Sequence, residues 1–196
     1  MSVRLGIDAS QSVASCAVST EVGIVASAMI ERPIENFPTL IRDALTHANI
    51  CLNDIDEIVV CIGPGSQTGI RTAVVTGNAL ALALNKPVSG VLSTDAAAVV
   101  SRADGTYKVA VSAGRRRWFV ESYSWQDGKL NRLDGLDLVD DLPEDTNPSF
   151  IPIEGKSLDD KNCAHGILMI AEQQRHLISQ SMLDEVRPYD GKEKFL

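Results

Sequence analysis

Residues 57–85 open Glu57-Ile58-Val59-Val60-Cys61-Ile62-Gly63-Pro64-Gly65-Ser66-Gln67-Thr68-Gly69-Ile70-Arg71-Thr72, then run through Ala, Val and Leu to Asn85. A short apolar run closed by glycine reads as a buried strand, and the long apolar stretch after the turn reads as a helix. Backbone N–H groups at such a turn point at whatever lies above the strand end, which suits an anion. The helix is apolar on more faces than one core requires, which suits a partner.

Working outward, residues 3–8, 13–20 and 24–30 are three closely spaced apolar runs, predicted as antiparallel strands joined by hairpins. Residues 37–48 change to helical period, with Leu40, Ile41, Ala44, Leu45 and Ala48 on one face and Pro38 in the first turn. Strand, helix and strand in succession predict a crossover and a parallel pairing. Residues 68–84 are the apolar helix, 88–92 a short strand, and a helix capped by Ser93 or Thr94 runs to about Val100. Arg102-Ala103-Asp104-Gly105 is the expected boundary between an N-terminal lobe, 1–104, and a smaller C-terminal lobe, 105–196. There the pattern partly restarts. Strands are predicted over 107–112 and 118–125, with Gln126-Asp127-Gly128-Lys129 as a hairpin turn. A loop over 137–148, a strand over 150–153 and a helix from 164 to about 179 follow. The polar tail from Arg187 is expected to fray.

At 196 residues the chain suffices for one large domain or two small lobes. Its formal charge of −8 argues against a broad nucleic-acid footprint. Cys16, Cys51, Cys61 and Cys163 form no C-x-x-C pair, so reduced thiols are expected rather than zinc or disulfides. His47, His165 and His176 are scattered, and no metal site is expected. The start lacks a signal-peptide core and no run is long enough to span a bilayer, so a soluble, cytoplasmic protein is expected.

Asp8 stands at the end of the first strand, where a carboxylate can orient a metal-bound phosphate or a water. The bland reading is a turn aspartate bonded to its own backbone. Gly63, Gly65 and Ser66, with Asp8 and Ser10, are the candidate nucleotide or anion contacts. The turn is not a G-x-x-x-x-G-K-[ST] loop, because Gly63 and Gly69 are one residue too far apart and Ile70 stands at the lysine position. A tight strand-to-helix turn explains the same glycines. On the helix, Ile70, Ala73, Val74, Gly77, Leu80 and Ala81 form one stripe. Thr72, Val75, Thr76, Ala79 and Leu82 form a second, smaller one. The second faces either the 37–48 helix or another chain. Arg115, Arg116 and Arg117 are a candidate anion or tRNA contact, or a solvated turn. Ser66 has no evident base and no G-x-S-x-G elbow exists, so no catalytic residue is assigned.

Ile7-Asp8-Ala9-Ser10, the 63–71 segment (family form close to GPGSFTGLR) and Ala113-Gly114-Arg115-Arg116 together resemble the TsaB (YeaZ) family of tRNA threonylcarbamoyladenosine biosynthesis. Gln67 stands where the family form has an aromatic, Ala9 where it has Thr, and Ser112 where it has Asp. The resemblance implies an α/β, actin-like ATPase (ASKHA, ribonuclease H-like) fold of two related lobes, the second abbreviated. It implies a non-catalytic subunit without a cofactor of its own. This subunit would activate a larger TsaD-type paralogue, with a TsaE-type ATPase joining, and would be a homodimer when alone. Contact with tRNA would come only through the complex. Pairing through the N-terminal lobe helices would use Leu40, Ile41, Gly69, Arg71, Thr72, Val75, Thr76 and Ala79. The alternative is an autonomous ATPase or phosphotransferase of the same superfold, in which Asp8 positions metal-bound nucleotide. A peptidase is a third, weaker reading, since no nucleophile–base–orienter set is visible.

Overall fold

A computed structural model describes residues 2–31, 36–101, 105–142, 150–153, 163–173, 179–181 and 187–189. The first sheet has the order β11 (Ser179–Ser181), β5 (Val88–Leu92), β4 (Glu57–Gly63), β1 (Arg4–Asp8), β2 (Val13–Thr20), β3 (Gly23–Glu31). Its meander is β1 (Arg4–Asp8), β2 (Val13–Thr20) and β3 (Gly23–Glu31), antiparallel as the short connections predict. Helix α1 (Phe37–Ala48) leads to β4 (Glu57–Gly63), which pairs parallel with β1. Helix α2 (Gln67–Leu84) leads to β5 (Val88–Leu92), parallel to β4. Helix α3 (Ser93–Ser101) closes this half.

Strand β4 is buried along its whole length because helices cover both faces of the sheet. Ile58, Val60 and Ile62 join the core beneath α1 and α2, while Val59 and Cys61 face α3 and α4 (Cys163–Gln173). Alternate residues thus serve two cores, as strand periodicity requires. Each fully buried aliphatic side chain in these layers contributes about 1.5–3 kcal/mol. Both α1 and α2 end on an asparagine in the left-handed conformation, Asn49 and Asn85, whose N–H groups return to the last turn.

The second sheet begins at Gly105; residues 102–104 of the expected boundary lie outside the described residues. It contains β6 (Gly105–Gly114), β7 (Arg117–Gln126), β8 (Lys129–Arg132), β9 (Asp137–Val139) and β10 (Phe150–Ile153). Strands β6, β7 and β8 form an antiparallel meander, and β10 pairs parallel with β6. This repeats the β3-β2-β1-β4 start of the first sheet. The repeat lacks a described helix between meander and parallel strand. Tyr107, Val109, Val111 and Tyr123 pack inward on α3 and α4 (Cys163–Gln173), while Ala110, Trp118 and Val120 form a small cluster on the outer face.

Three expectations need correction. Residues 137–139 were read as loop but form β9, which pairs antiparallel with β7; three residues acquire strand geometry from a neighbour's free edge. Residues 143–148 of that predicted loop lie outside the described residues. The last helix does not reach residue 179, because Ser179–Ser181 is a strand, β11, paired antiparallel with the edge of β5. The chain near Arg187 is anchored where fraying was expected. The Tyr189 N–H donates to the Ile62 carbonyl at 2.8 Å, and its side chain packs on the first core.

Candidate functional site

The end of β1 and the turn after β4 lie against each other. The Ser66 N–H donates to the Ser10 carbonyl at 2.7 Å. A Cβ at Gly65, where φ is +149°, would lie 2.2 Å from that carbonyl oxygen, and one at Gly69 would lie 1.9 Å from the Ala9 oxygen. Only glycine permits this approach. The Ser93 hydroxyl donates to the Pro64 carbonyl at 2.5 Å, fixing the turn from the other side.

The donors expected to face an anion are largely used internally. Ser66 caps α2, its Oγ accepting from the Gly69 N–H at 3.4 Å, and the Ile70 N–H donates to the Ser66 carbonyl at 2.9 Å. Asp8 is 1 % exposed and Ser10 is equally buried. Asp8, Ser10, Gly63, Gly65 and Ser66 are therefore brought together, but as a packed seam rather than an open cradle. The turn-aspartate reading holds in part, since Asp8 Oδ1 accepts from the Ser10 N–H at 2.9 Å.

Two side chains that the sequence did not connect with Asp8 complete its surroundings. Cys61 on β4 and Cys163 at the start of α4 place their sulfurs so that these and an Asp8 oxygen all lie within 4.8 Å of one another. Helix α4 is docked there by its Ala164 N–H, which donates to Ser15 Oγ on β2 at 3.1 Å. Burial pushes the Asp8 carboxyl up, and burial likewise raises the Cys61 thiol. The Cys163 thiol rises chiefly through its contact with Cys61, then through burial. No local spacing signals this group, because Cys61 and Cys163 are far apart in the chain. The pattern of alternation along β4 could have shown only that Cys61 faces away from α2.

A second buried polar group was also not anticipated. Asp95 on α3 meets Arg132 on β8 through Arg132 Nε at 2.9 Å and through a second, closer guanidinium contact. Tyr123 OH lies 2.9 Å from Asp95 Oδ1 and 2.7 Å from Glu121 Oε2, and Thr94 Oγ1 donates to the same Glu121 oxygen at 2.8 Å. Arg132 Nε also lies 3.7 Å from Glu121 Oε1. Burial first and the Asp95 charge second push the Glu121 carboxyl up.

Helix α2 presents its two stripes unequally. Ile70, Ala73, Val74, Gly77 and Ala81 are buried, while Val75 is 66 % and Leu82 86 % exposed. Helix α1 therefore does not cover the second stripe. Arg71 and Ala79 are also exposed and Thr72 and Thr76 half-buried. Leu40 and Ile41 are corrected as interface residues, because both are buried in the core under α1. Gly69 likewise faces β1. Arg115 and Arg116 are the two left-handed residues of the β6–β7 turn, with φ of 53° and 61°, and together with Arg117 they are exposed. Among the described residues, Arg116 makes a surface ion pair with Asp141, at 3.4 Å. Among the described residues, no helix is long and apolar enough to cross a membrane.

Residues 9–144 match the family model described as TsaD, tRNA N6-adenosine threonylcarbamoyltransferase. The protein of that name from Rhizobium johnstonii is 34 % identical over 80 residues, covering 41 % of this chain and 22 % of its own length. The tRNA threonylcarbamoyladenosine biosynthesis protein TsaB of Bacillus subtilis is 31 % identical over 94 residues, covering 47 % of this chain and 41 % of its own. The matches thus span about a fifth of the transferase and two fifths of TsaB. The solved structure of YeaZ from Pseudomonas aeruginosa superposes with a TM-score of 0.63 at 25 % identity, covering 71 % of this chain and 67 % of that one. A structure described as an uncharacterized protein with similarity to peptidase YeaZ from Pseudomonas aeruginosa gives 0.75 at 19 % identity, with 96 % and 99 % covered, and speaks to the fold alone. The fold is that of the YeaZ structures.

Proposed function

From the membership of the chain in the TsaD family, tRNA N6-adenosine threonylcarbamoyltransferase, and its similarity to TsaB (YeaZ) proteins, we propose that it is a non-catalytic subunit that binds and activates a TsaD-type paralogue in the formation of threonylcarbamoyladenosine on tRNA. The observation that carries this reading is the uncovered stripe of α2. Val75 and Leu82 stand exposed among the small Thr72, Thr76 and Ala79. An apolar face rimmed by polar residues is a protein contact surface. Its small side chains let another helix approach closely. The proposed interface is therefore Arg71, Thr72, Val75, Thr76, Ala79 and Leu82, and two copies meet there when the paralogue is absent. The remaining components are a TsaE-type ATPase and tRNA, the latter held through the complex, in the cytoplasm. The lobes 1–104 and 105–196 are proposed as its two related units.

The tight packing of the Gly65–Gly69 turn on Ala9 and Ser10 supports the non-catalytic reading over an autonomous ATPase. Threonylcarbamoyladenosine formation on tRNA is measured with the paralogue and ATPase, with and without this chain. The expected result is strong stimulation by the chain and no ATP turnover by the chain alone. Equal modification in its absence overturns the proposal.

A further inference from the structure

We propose that Asp8, Cys61 and Cys163 bind one borderline-soft divalent cation of the zinc type. The three donors come from the end of β1, the middle of β4 and the first residue of α4, and all lie within 4.8 Å of one another. A tetrahedral zinc ion holds sulfur at about 2.3 Å and oxygen at about 2.0 Å, which sets donors roughly 3.5–4 Å apart. A contraction of about 1.3 Å at most separates donors within 4.8 Å of one another from that geometry. Two thiols and one carboxylate exclude calcium and magnesium, which take oxygen ligands, and match zinc.

Asp8 supplies an independent reason. Its carboxyl is buried, yet among the described residues no Lys, Arg or His pairs with it; its neighbours are Ser10, Cys61 and Cys163. The buried Asp95 carboxylate, by contrast, is met by the Arg132 guanidinium. A buried carboxylate stays charged only when it is paired or coordinates a metal, and a cation bound between the two thiols and this carboxyl would supply that charge. Ser10 Oγ is buried beside them without a hydrogen bond of good geometry. It is placed to orient a water in the fourth coordination position. The bound ion ties the start of α4 to the ends of β1 and β4, joining the second half of the chain to the first sheet. The proposal stands apart from the partner assignment, since it needs no other chain.

The test uses the full chain, reduced and stripped with a chelator, titrated with Co²⁺ and then Zn²⁺. The expected result is one cobalt per chain with a sulfur-to-cobalt charge-transfer band, displaced by zinc. Cys163→Ser and Asp8→Asn should each weaken affinity at least tenfold, while the exposed Cys51→Ser leaves it unchanged. Because substitution at these positions could impair folding, the wild-type chain is also alkylated with and without Zn²⁺. Mass spectrometry should find Cys163 protected by zinc and Cys51 not. Absence of a thiolate band, a band lost in Cys51→Ser but retained in Cys163→Ser, or equal alkylation of Cys163 with and without zinc overturns the proposal.

Discussion

The two faces of α2 are made of similar residues and meet different fates. The inward face holds Ile70, Ala73, Val74, Gly77 and Ala81 against β1 and β4. The outward face holds Thr72, Val75, Thr76, Ala79 and Leu82, with two large aliphatics in solvent. Hydrophobicity alone does not separate them. What does is close approach: Gly69 and Gly77 lie on the inward side, where an added Cβ would meet the Ala9 oxygen at 1.9 Å and Val60 Cγ2 at 2.3 Å. Close approach of that kind, to a carbonyl at Gly69 and to a side chain at Gly77, marks the face that the fold itself uses. The face left over is available to another chain.

Three substitutions would break or sharpen that contrast, and two more probe the fold around it. The largest expected effect is Gly69→Ala on the inward side. The Ala9 backbone cannot yield cheaply, so unfolding in urea should show a loss of roughly 3 kcal/mol. Next are Thr76→Arg and Ala79→Arg on the outward side. They should leave urea unfolding within about 0.5 kcal/mol and weaken association by about 2–5 kcal/mol, read by titration calorimetry with the paralogue. If these variants unfold instead, the outward stripe is core and the contrast fails.

The third prediction concerns a buried polar group that belongs wholly to the fold. The folded-state pKa of Glu121 is raised, so its proton is held more tightly in the native state. Its contribution is therefore complete below the ordinary glutamate pKa and is lost as pH rises through the raised value. Thermal melts across that window should show a declining midpoint, and Glu121→Gln should flatten the decline. The smallest effect is expected from Lys86→Ala. The Lys86–Asp56 pair, at 3.2 Å, is partly exposed. Its loss should cost under about 1 kcal/mol and less still in high salt.

Periodicity carried the first sheet from sequence to structure. The run through Val13–Thr20, the helical face of Phe37–Ala48 and the strand–turn–helix at Gly63 are each written in local pattern. Strands β9 and β11 were missed because three residues hold no pattern of their own and obtain their geometry from the edges of β7 and β5. The candidate site divided in the same way. Asp8 and the Gly63–Ser66 turn were visible as a strand end and a glycine cluster. Their direct packing was not, since it depends on a contact between Ser66 and Ser10 across the fold. Cys61 and Cys163 converge on Asp8 only through the docking of α4, which no spacing rule encodes. Leu40 and Ile41 are the converse case: the resemblance implied a partner contact for these two residues, and both are buried in the first core.

The most direct test of the central claim mixes the chain with its TsaD-type paralogue and follows mass by light scattering after size exclusion, beside the Thr76→Arg variant. The account predicts a stoichiometric heterodimer for the native chain and two separate, folded proteins for the variant. No association of the native chain, or a heterodimer unaffected by an arginine at position 76, would contradict it.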